Sequence, residues 1–104
     1  MFTFKKRTKQ VSDDVMTVTP GYEGLFLYYR QSCPFCRYVS AYLKSKGIVI
    51  DGKNIIENQK DLNELISRGG KRQVPCLKIV IGCSEKWLYE STDIVEFIEQ
   101  FKPV

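Results

Sequence analysis

The feature that most restricts the fold of this chain is a short apolar run joined, through a Cys-x-x-Cys motif, to a helical pattern. Residues 25–29 are all apolar or aromatic, which predicts a strand buried on both faces. Lysines and then a glycine end the helical pattern that follows, at residues 44–47. Its apolar side chains recur at helical spacing and form one stripe, made of Phe35, Tyr38, Val39, Tyr42 and Leu43. The sequence therefore predicts a strand, a tight turn and an amphipathic helix.

Two cysteines lie at the start of this predicted helix. Pro34 suits the first helical position, where its missing N–H costs nothing, so Cys33 is predicted to be the N-cap. The unpaired N–H groups and aligned peptide dipoles of a first turn favour a thiolate, so we expect a lowered pKa and a nucleophilic Cys33. Cys36 falls on the same helical face, partly shielded by Phe35 and Tyr38 and able to form a disulfide with Cys33. This context favours redox chemistry over half of a zinc site.

Length and composition indicate one domain in a reducing compartment. The chain has 104 residues, 43% of them hydrophobic, which suffices for a single core and excludes a second domain. The net charge of +4 is scattered apart from a basic start, so no nucleic-acid partner is expected. No apolar stretch has the length of a membrane span or a secretory signal, so no membrane partner is expected. Four cysteines without a signal predict thiols in the cytoplasm, and the lack of histidine excludes a Cys/His dyad.

The chain before and after this unit predicts an extension, a second strand and a second helix. Residues 1–21 are polar and basic and are expected to form an N-terminal extension, with the folded domain over residues 22–104. A second strand is predicted over residues 48–56, bent at Gly52, and its spacing from the first strand implies a right-handed crossover between parallel strands. Asn58 is the predicted N-cap of a short second helix that ends at a Gly-Gly pair.

The last third of the sequence predicts a hairpin and a final helix. Residues 74–81 form a predicted strand with a proline near its start, and a turn at residues 82–85 leads into a fourth strand through Trp87, Leu88 and Tyr89. Ser91 is predicted to cap a helix whose apolar stripe faces the sheet. The predicted order is β-α-β-α-β-β-α, so the fold class is α/β, with a four-stranded mixed sheet flanked by helices.

Three separated motifs carry a resemblance to a known family. They are Arg30-Gln31-Ser32-Cys33-Pro34-Phe35-Cys36, Gln73-Val74-Pro75 and Glu90-Ser91-Thr92-Asp93. In this order they resemble the motifs of dithiol glutaredoxins, thioredoxin-fold proteins that exchange disulfides using glutathione, and the resemblance covers residues 24–102. The family has a basic residue before C-P-Y/F-C, then T-V-P with a cis proline, then a Gly-Gly-x-Asp-type segment. The third motif departs from this pattern, and its Glu-Ser pair looks more like the glutathione-binding corner of glutathione transferases, whose helical second domain this chain is too short to hold.

The resemblance implies a glutathione-dependent thiol-disulfide oxidoreductase with the thioredoxin/glutaredoxin fold, which reduces protein–glutathione mixed disulfides and other disulfides. Cys33 would be the nucleophile and Cys36 the resolving cysteine. The implied partners are glutathione, as the reducing co-substrate, and glutathionylated or disulfide-bonded proteins. No metal is expected, and the protein is expected to be a monomer. The implied glutathione-binding residues are Arg30, Gln73, Val74, Pro75, Ser91 and Thr92.

The chemistry of these residues fits the three parts of glutathione. Arg30 offers a cation to the glycine carboxylate. The backbone of Val74, exposed by a cis proline before a strand, could pair with the cysteine part as an added strand. Ser91 and Thr92 would present N–H groups and a hydroxyl at a helix N-terminus to the γ-glutamyl carboxylate. Basic residues 71–72 add a favourable positive field.

Two alternative uses of the cysteines stay open. Cys76 and Cys83 are expected to be bystanders, since buried cysteines usually act as small hydrophobic residues. They could instead complete a four-cysteine zinc site with Cys33 and Cys36, although Cys76 and Cys83 are separated from each other by a whole predicted strand. The other alternative is an iron-sulfur carrier, a homodimer that bridges a 2Fe–2S cluster through Cys33 and two glutathiones. Pro34 stiffens the turn and Cys36 offers a competing disulfide, so the enzyme is the preferred hypothesis.

Overall fold

The computed structural model describes residues 18–101 of the chain. In that part, strands and helices follow each other in the predicted order. The elements are β1 (Leu25–Tyr29), α1 (Pro34–Ser45), β2 (Asp51–Asn54), α2 (Gln59–Glu64), a π-helical segment (Leu65–Gly69), β3 (Cys76–Ile81), β4 (Ser84–Leu88) and α3 (Ser91–Gln100). The π-helical segment continues α2 to its predicted end, where Gly70 takes a φ of 91°, in the left-handed region that favours glycine. The predicted extension lies almost wholly outside the described residues.

The four strands form one mixed sheet in the order β2-β1-β3-β4. The pairing of β1 with β2 is parallel, with Phe26 opposite Asp51, as the spacing of the two strands predicts. β1 is antiparallel to β3, and β3 and β4 form the predicted hairpin. The four-stranded α/β sheet is therefore confirmed. Because β1 is an inner strand that leads directly into α1, the Cys-x-x-Cys motif lies at the carboxyl end of a central strand.

Two hydrophobic clusters cover the two faces of the sheet, because successive residues of a strand point to opposite sides. In β3, Leu77 belongs to the larger cluster and Cys76 to the smaller one. The smaller cluster also contains Tyr28, Ile55 and Leu65 and lies on the side of the π-helical segment. The larger cluster joins β1, β3, α1 and α3 and consists of Leu25, Leu27, Tyr29, Cys33, Cys36, Val39, Leu43, Leu77, Ile79, Ile94 and Ile98. The prediction that helices flank the sheet is confirmed.

The second strand is shorter than predicted and has no bend at Gly52. It covers Asp51–Asn54, and Gly52 lies in register opposite Leu27 of β1. The apolar residues before it use their backbone groups elsewhere. The Ile48 N–H donates to the Leu43 carbonyl near the end of α1. Val49 and Thr19 exchange two hydrogen bonds, of 2.7 and 2.8 Å. These bonds end the ladder with β1 at Asp51.

The buried stripe of α1 differs from the predicted one by about one position. Phe35 is 64% exposed and Tyr38 is 50% exposed, so these two members of the predicted apolar stripe are not part of the buried face. Cys36, expected to be only partly shielded, is 1% exposed and packs in the larger cluster with Val39 and Leu43. The small apolar thiol at position 36 belongs to the i, i+3, i+7 stripe that faces the sheet, and this rotates the bulky aromatic side chains outward.

A polar network ties α2 to the sheet. The Tyr28 hydroxyl donates a hydrogen bond to one oxygen of Glu64, and the Lys78 ammonium lies 2.8 Å from the other. Burial raises the pKa of the Glu64 carboxyl, but the hydrogen bonds from Lys78 and Tyr28 and the nearby positive charges lower it by a larger amount. The net shift of the pKa is therefore downward. Glu64 therefore stabilises the folded state in its ionised form.

We expect Glu64→Gln to lower the free energy of unfolding at pH 7 by about 1.5 kcal/mol, the lower end of the contribution of hydrogen bonds to charged groups, because the Glu64 side chain is 28% exposed. Because the folded-state pKa of Glu64 lies below the unfolded value, its contribution is present above the unfolded pKa and is lost as the pH falls through the folded pKa. Urea denaturation at neutral and acidic pH should show the difference from the unsubstituted protein shrinking in acid. The exposed Glu96 provides the matched control, since Glu96→Gln should change neither curve.

Candidate active site

Cys33 caps the N-terminus of α1, as predicted. Its backbone is extended, with φ −86° and ψ 120°, and Pro34 occupies the first helical position. The Cys36 N–H donates to the Cys33 sulfur over 3.4 Å, and the Arg37 N–H donates to the Cys33 carbonyl over 3.0 Å. The Cys33 sulfur thus accepts a hydrogen bond from one of the N–H groups that a helix start leaves without a helical partner.

The two thiols of the motif have opposite pKa shifts. Burial raises the pKa of the Cys33 thiol, but hydrogen bonds from Cys36 and Phe35, together with the positive charge of Arg30, lower it by more, so its net pKa lies below the ordinary value. Burial raises the pKa of the Cys36 thiol to about 12, against a smaller lowering by hydrogen bonding to the Arg30 backbone. Of the two thiols, Cys33 is therefore the one that ionises first as the pH rises.

A pH profile of alkylation tests this assignment. In a Cys83→Ser background, which removes the exposed cysteine, iodoacetamide should modify Cys33 alone, with an inflection below the ordinary cysteine pKa of 9.0. Cys36 and Cys76 should stay unmodified in the folded protein, since burial raises each pKa to about 12, whereas the pKa of Cys33 is lowered. Mass spectrometry locates the adduct. Modification of Cys36 ahead of Cys33 would contradict the assignment.

The loop before β3 approaches the Cys33 sulfur. The Val74–Pro75 peptide bond is cis, as the resemblance implied, and the Val74 carbonyl oxygen lies 3.8 Å from the Cys33 sulfur, close enough to accept a hydrogen bond from the thiol. A cleft opens beside this contact. Its lining consists of Phe35, Gln73, Pro75, Tyr89, Glu90 and Ser91.

The N-terminus of α3 forms one end of this cleft. The helix begins at Ser91 and its N-cap is Glu90, so the prediction of Ser91 as the cap is wrong by one residue. Glu90 is extended, with φ −91° and ψ 133°, and its carbonyl accepts the first helical hydrogen bond from Ile94 at 2.9 Å. The Glu90 side chain makes no capping hydrogen bond, so the first-turn N–H groups are left without a helical partner beside the cleft.

The other predicted binding residues are distributed unevenly around the cleft. Gln73, Pro75 and Ser91 line it, whereas Thr92, one position into the helix, is exposed and is not among the lining residues. Arg30 is exposed between β1 and α1, with its carbonyl 3.3 Å from the Cys33 N–H and its guanidinium 3.3 Å from the Ser32 hydroxyl. The structure thus brings most of the predicted residues together on one side of the molecule.

Comparison with known proteins agrees with this geometry. A sequence model of the family described as Glutaredoxin matches residues 25–80, which is more than half of the chain. The chain belongs to the glutaredoxin family. Glutaredoxin 3 of Escherichia coli (strain K12) is 29% identical over 69 residues, which cover 62% of this chain and 83% of that protein. Membership in the glutaredoxin family supports a role as a thiol-disulfide oxidoreductase.

Solved structures show the same fold. The glutaredoxin from Archaeoglobus fulgidus superposes with a TM-score of 0.55 at 23% identity, covering 75% of this chain and 88% of that one. The glutaredoxin from Brucella melitensis gives a TM-score of 0.50 at 20% identity, covering 77% of this chain and 83% of that one. These likenesses show the thioredoxin/glutaredoxin fold that the resemblance implied.

Tyr89 is a cleft residue that sequence reasoning placed only in a strand. Its ring lies under the Lys71 ammonium, 5.1 Å from the ring centroid, and its buried hydroxyl makes no well-aligned hydrogen bond with any residue in the range 18–101. A Cβ at Gly69 would overlap that hydroxyl, so only glycine leaves room for it. Its position in the sequence could have indicated its place in the cleft, because Tyr89 directly precedes Glu90 and Ser91, which begin α3 and also line the cleft.

The two remaining cysteines lie away from the Cys33 sulfur. Cys76 is fully buried in the smaller cluster, on the opposite face of the sheet from Cys33 and Cys36, although it follows Pro75 directly. Cys83 is exposed in the turn between β3 and β4. All four cysteines are free thiols, and the described part of the chain contains no group of three or more Cys, Asp or Glu side chains that could hold a metal ion.

Between residues 18 and 101, no helix has both the length and the apolar character needed to cross a membrane.

Proposed function

We propose that this protein is a glutathione-dependent thiol-disulfide oxidoreductase of the cytoplasm that reduces protein–glutathione mixed disulfides and other disulfides. The observation that carries the proposal is the Cys33 sulfur at the N-terminus of α1, 3.8 Å from the Val74 carbonyl and beside a cleft that ends at the N-terminus of α3. This arrangement combines an activated nucleophile with backbone and side-chain groups that suit a tripeptide with two carboxylates.

The proposed reaction begins at Cys33. Its thiolate attacks the glutathione sulfur of a mixed disulfide, a bond forms between the two sulfurs, and the substrate protein leaves as a thiolate that takes a proton from water. A second glutathione thiolate then attacks the glutathione sulfur on Cys33, which releases glutathione disulfide and restores the Cys33 thiolate. Alternatively, Cys36 loses its proton and displaces the group bound to Cys33, which leaves a Cys33–Cys36 disulfide for glutathione to reduce.

Each part of glutathione has a counterpart among the described residues. Arg30 is exposed near Cys33 and suits the glycine carboxylate, and the Val74 backbone, whose carbonyl lies 3.8 Å from the Cys33 sulfur, suits the cysteine part. The γ-glutamyl carboxylate suits the first-turn N–H groups of Ser91 and Thr92, with Glu90 available to the neighbouring ammonium. For Thr92 the proposal rests on its backbone N–H, because its side chain does not line the cleft.

The choice of electron donor tests the proposal. Turnover of a mixed disulfide between glutathione and 2-mercaptoethanol should be supported by glutathione with glutathione reductase and NADPH. It should be poor with thioredoxin reductase and NADPH, because that system offers no ligand for Arg30 or for the start of α3. Faster reduction by thioredoxin reductase than by glutathione would overturn the proposed donor.

Arg30→Ala should raise KM for a glutathionylated substrate about threefold to fivefold, the effect of losing one exposed ion pair, with a smaller loss in kcat. The loss in kcat is expected because the Arg30 charge also contributes to lowering the pKa of Cys33. Steady-state kinetics at saturating glutathione separate the two constants. Lys60→Ala, which removes an exposed cation on α2, is the control and should leave both unchanged. An effect confined to kcat would argue against a binding role for Arg30.

A further inference from the structure

We infer that the preferred substrates are polypeptides in which acidic residues flank the glutathionylated cysteine. The inference rests on the proposed function and adds the class of substrate to it. It is based on three exposed basic residues in the two segments that contribute Phe35 and Gln73 to the cleft, namely Arg37, Lys71 and Arg72, which are called the basic rim below. Arg30 is left out of the rim because the proposed glutathione site uses it as a direct ligand of a carboxylate, whereas residues 71–72 contribute only a favourable field to that site.

The basic rim comes from two of the segments that line the cleft. Arg37 lies one helical turn after Cys33, at the i, i+4 spacing that places two residues on one helix face, and its N–H donates to the Cys33 carbonyl at 3.0 Å. Lys71 lies over the ring of the cleft residue Tyr89, at 5.1 Å from the centroid. Arg72 directly precedes Gln73, which lines the cleft. The three charges therefore lie around the position that a substrate chain must approach.

The rim charges have no acidic partner in the described part of the protein. Three of its four ion pairs connect a strand with α2 or the π-helical segment, the fourth joins β3 to β4, and none includes a rim residue. Glu90 is the one acidic residue among those that line the cleft. A group of exposed cations near a reactive sulfur attracts anionic partners and repels cationic ones.

The rim exceeds what glutathione alone requires. Glutathione has two carboxylates, and the proposed site already assigns these to Arg30 and to the N–H groups that open α3. Next to Arg37, the aromatic side chains of Phe35 and Tyr38 are 64% and 50% exposed, at an i, i+3 spacing on α1. Exposed aromatic side chains beside unpaired cations suit a polypeptide with apolar and acidic residues. The surface therefore matches the protein part of a mixed disulfide, beyond its glutathione part.

Two glutathionylated peptides that differ only in the residues flanking one cysteine test the inference. One has glutamates at the flanking positions and the other has lysines. At low ionic strength the ratio of their kcat/KM values should be about tenfold in favour of the acidic peptide, in the range of electrostatic effects on association. At about 1 M salt, where the screening length falls to about 3 Å, the ratio should approach one.

Charge-reversal variants assign the preference to the rim. Arg37→Glu combined with Arg72→Glu should reduce the ratio at least fivefold or reverse it, and the neutral pair Arg37→Gln with Arg72→Gln should give an intermediate ratio. Lys44→Glu combined with Lys60→Glu changes the net charge equally at exposed positions on the last turn of α1 and on α2. This control should keep the ratio of the unsubstituted protein.

The ratio of the two peptides separates the inference from the proposed function. A ratio near one in the unsubstituted protein, or an unchanged ratio in the rim variants, would overturn the preference for acidic substrates. Lack of turnover with the small mixed disulfide of glutathione and 2-mercaptoethanol would instead overturn the glutathione-dependent activity. Because both peptides are measured with the same variant, a change in the reactivity of Cys33 cancels in the ratio.

Discussion

Replacing Cys33 by serine should lower the rate of deglutathionylation by at least about a thousandfold, because a hydroxyl is neither ionised nor strongly nucleophilic near neutral pH. The structure gives the reason why this position has so large an effect. The Cys33 sulfur accepts a hydrogen bond from the Cys36 N–H at the start of α1. The pKa of the Cys33 thiol is lowered, whereas burial raises the pKa of the Cys36 thiol to about 12. The measurement is the coupled assay with glutathione, glutathione reductase and a glutathionylated protein.

Cys33 is only 4% exposed, so the effect of a buried serine on the stability of the fold must be separated from its effect on the reaction. Thermal unfolding of Cys33→Ser should show that the fold is kept. Cys83→Ser makes the same chemical change in an exposed turn and should keep full activity. Activity of Cys33→Ser within tenfold of the unsubstituted protein would disprove the assignment of the nucleophile.

Replacing Cys36 by serine should separate two reactions. Deglutathionylation should stay within about threefold, since free glutathione can resolve the intermediate on Cys33 and serine can still donate a hydrogen bond to its sulfur. Reduction of a disulfide within a protein should fall about a hundredfold or more, because an intramolecular thiol acts at an effective concentration far above that of glutathione in solution. The same preparation should be assayed with a glutathionylated protein and with a protein that contains an internal disulfide.

The ratio of the two activities is the decisive quantity for Cys36. Cys83→Ser should leave this ratio unchanged, and it controls for the loss of a thiol in general. Equal losses in both reactions would show that Cys36 supports the reactivity of Cys33 and does not resolve intermediates. Loss of deglutathionylation to the level of Cys33→Ser would contradict the monothiol route.

Local features of the sequence predicted the reactive end of the site. Pro34 suits the first turn of a helix, and a strand precedes it, so Cys33 was expected at the N-cap, where the structure places it. Asn58 was also predicted as an N-cap, and its side chain accepts from the N–H groups of Lys60 and Asp61. Such features depend on neighbours within about one helical turn, and the sequence specifies those neighbours directly.

Features that depend on distant partners were predicted less well. The apolar run before Asp51 was expected to pair with β1, but Val49 bonds with Thr19, 30 residues away in sequence. Phe35 and Tyr38 were predicted in the apolar stripe of the helix, but Cys36 takes the buried position facing the sheet. Hydrophobic periodicity shows that a helix has an apolar side. Only packing against the sheet decides which neighbouring residues occupy that side.

The order of elements, the mixed α/β sheet and the position of the Cys-Pro-Phe-Cys motif at a helix start could be predicted from the sequence, because these follow from short-range patterns of polarity, turns and caps. The packing of the folded chain was needed to show that Tyr89 and Glu90 join Phe35 in the cleft, and that Cys76 faces away from it. These residues come from elements far apart in the chain. Their meeting depends on strand pairing, and the two-residue period of β3 directs adjacent side chains to opposite faces of the sheet.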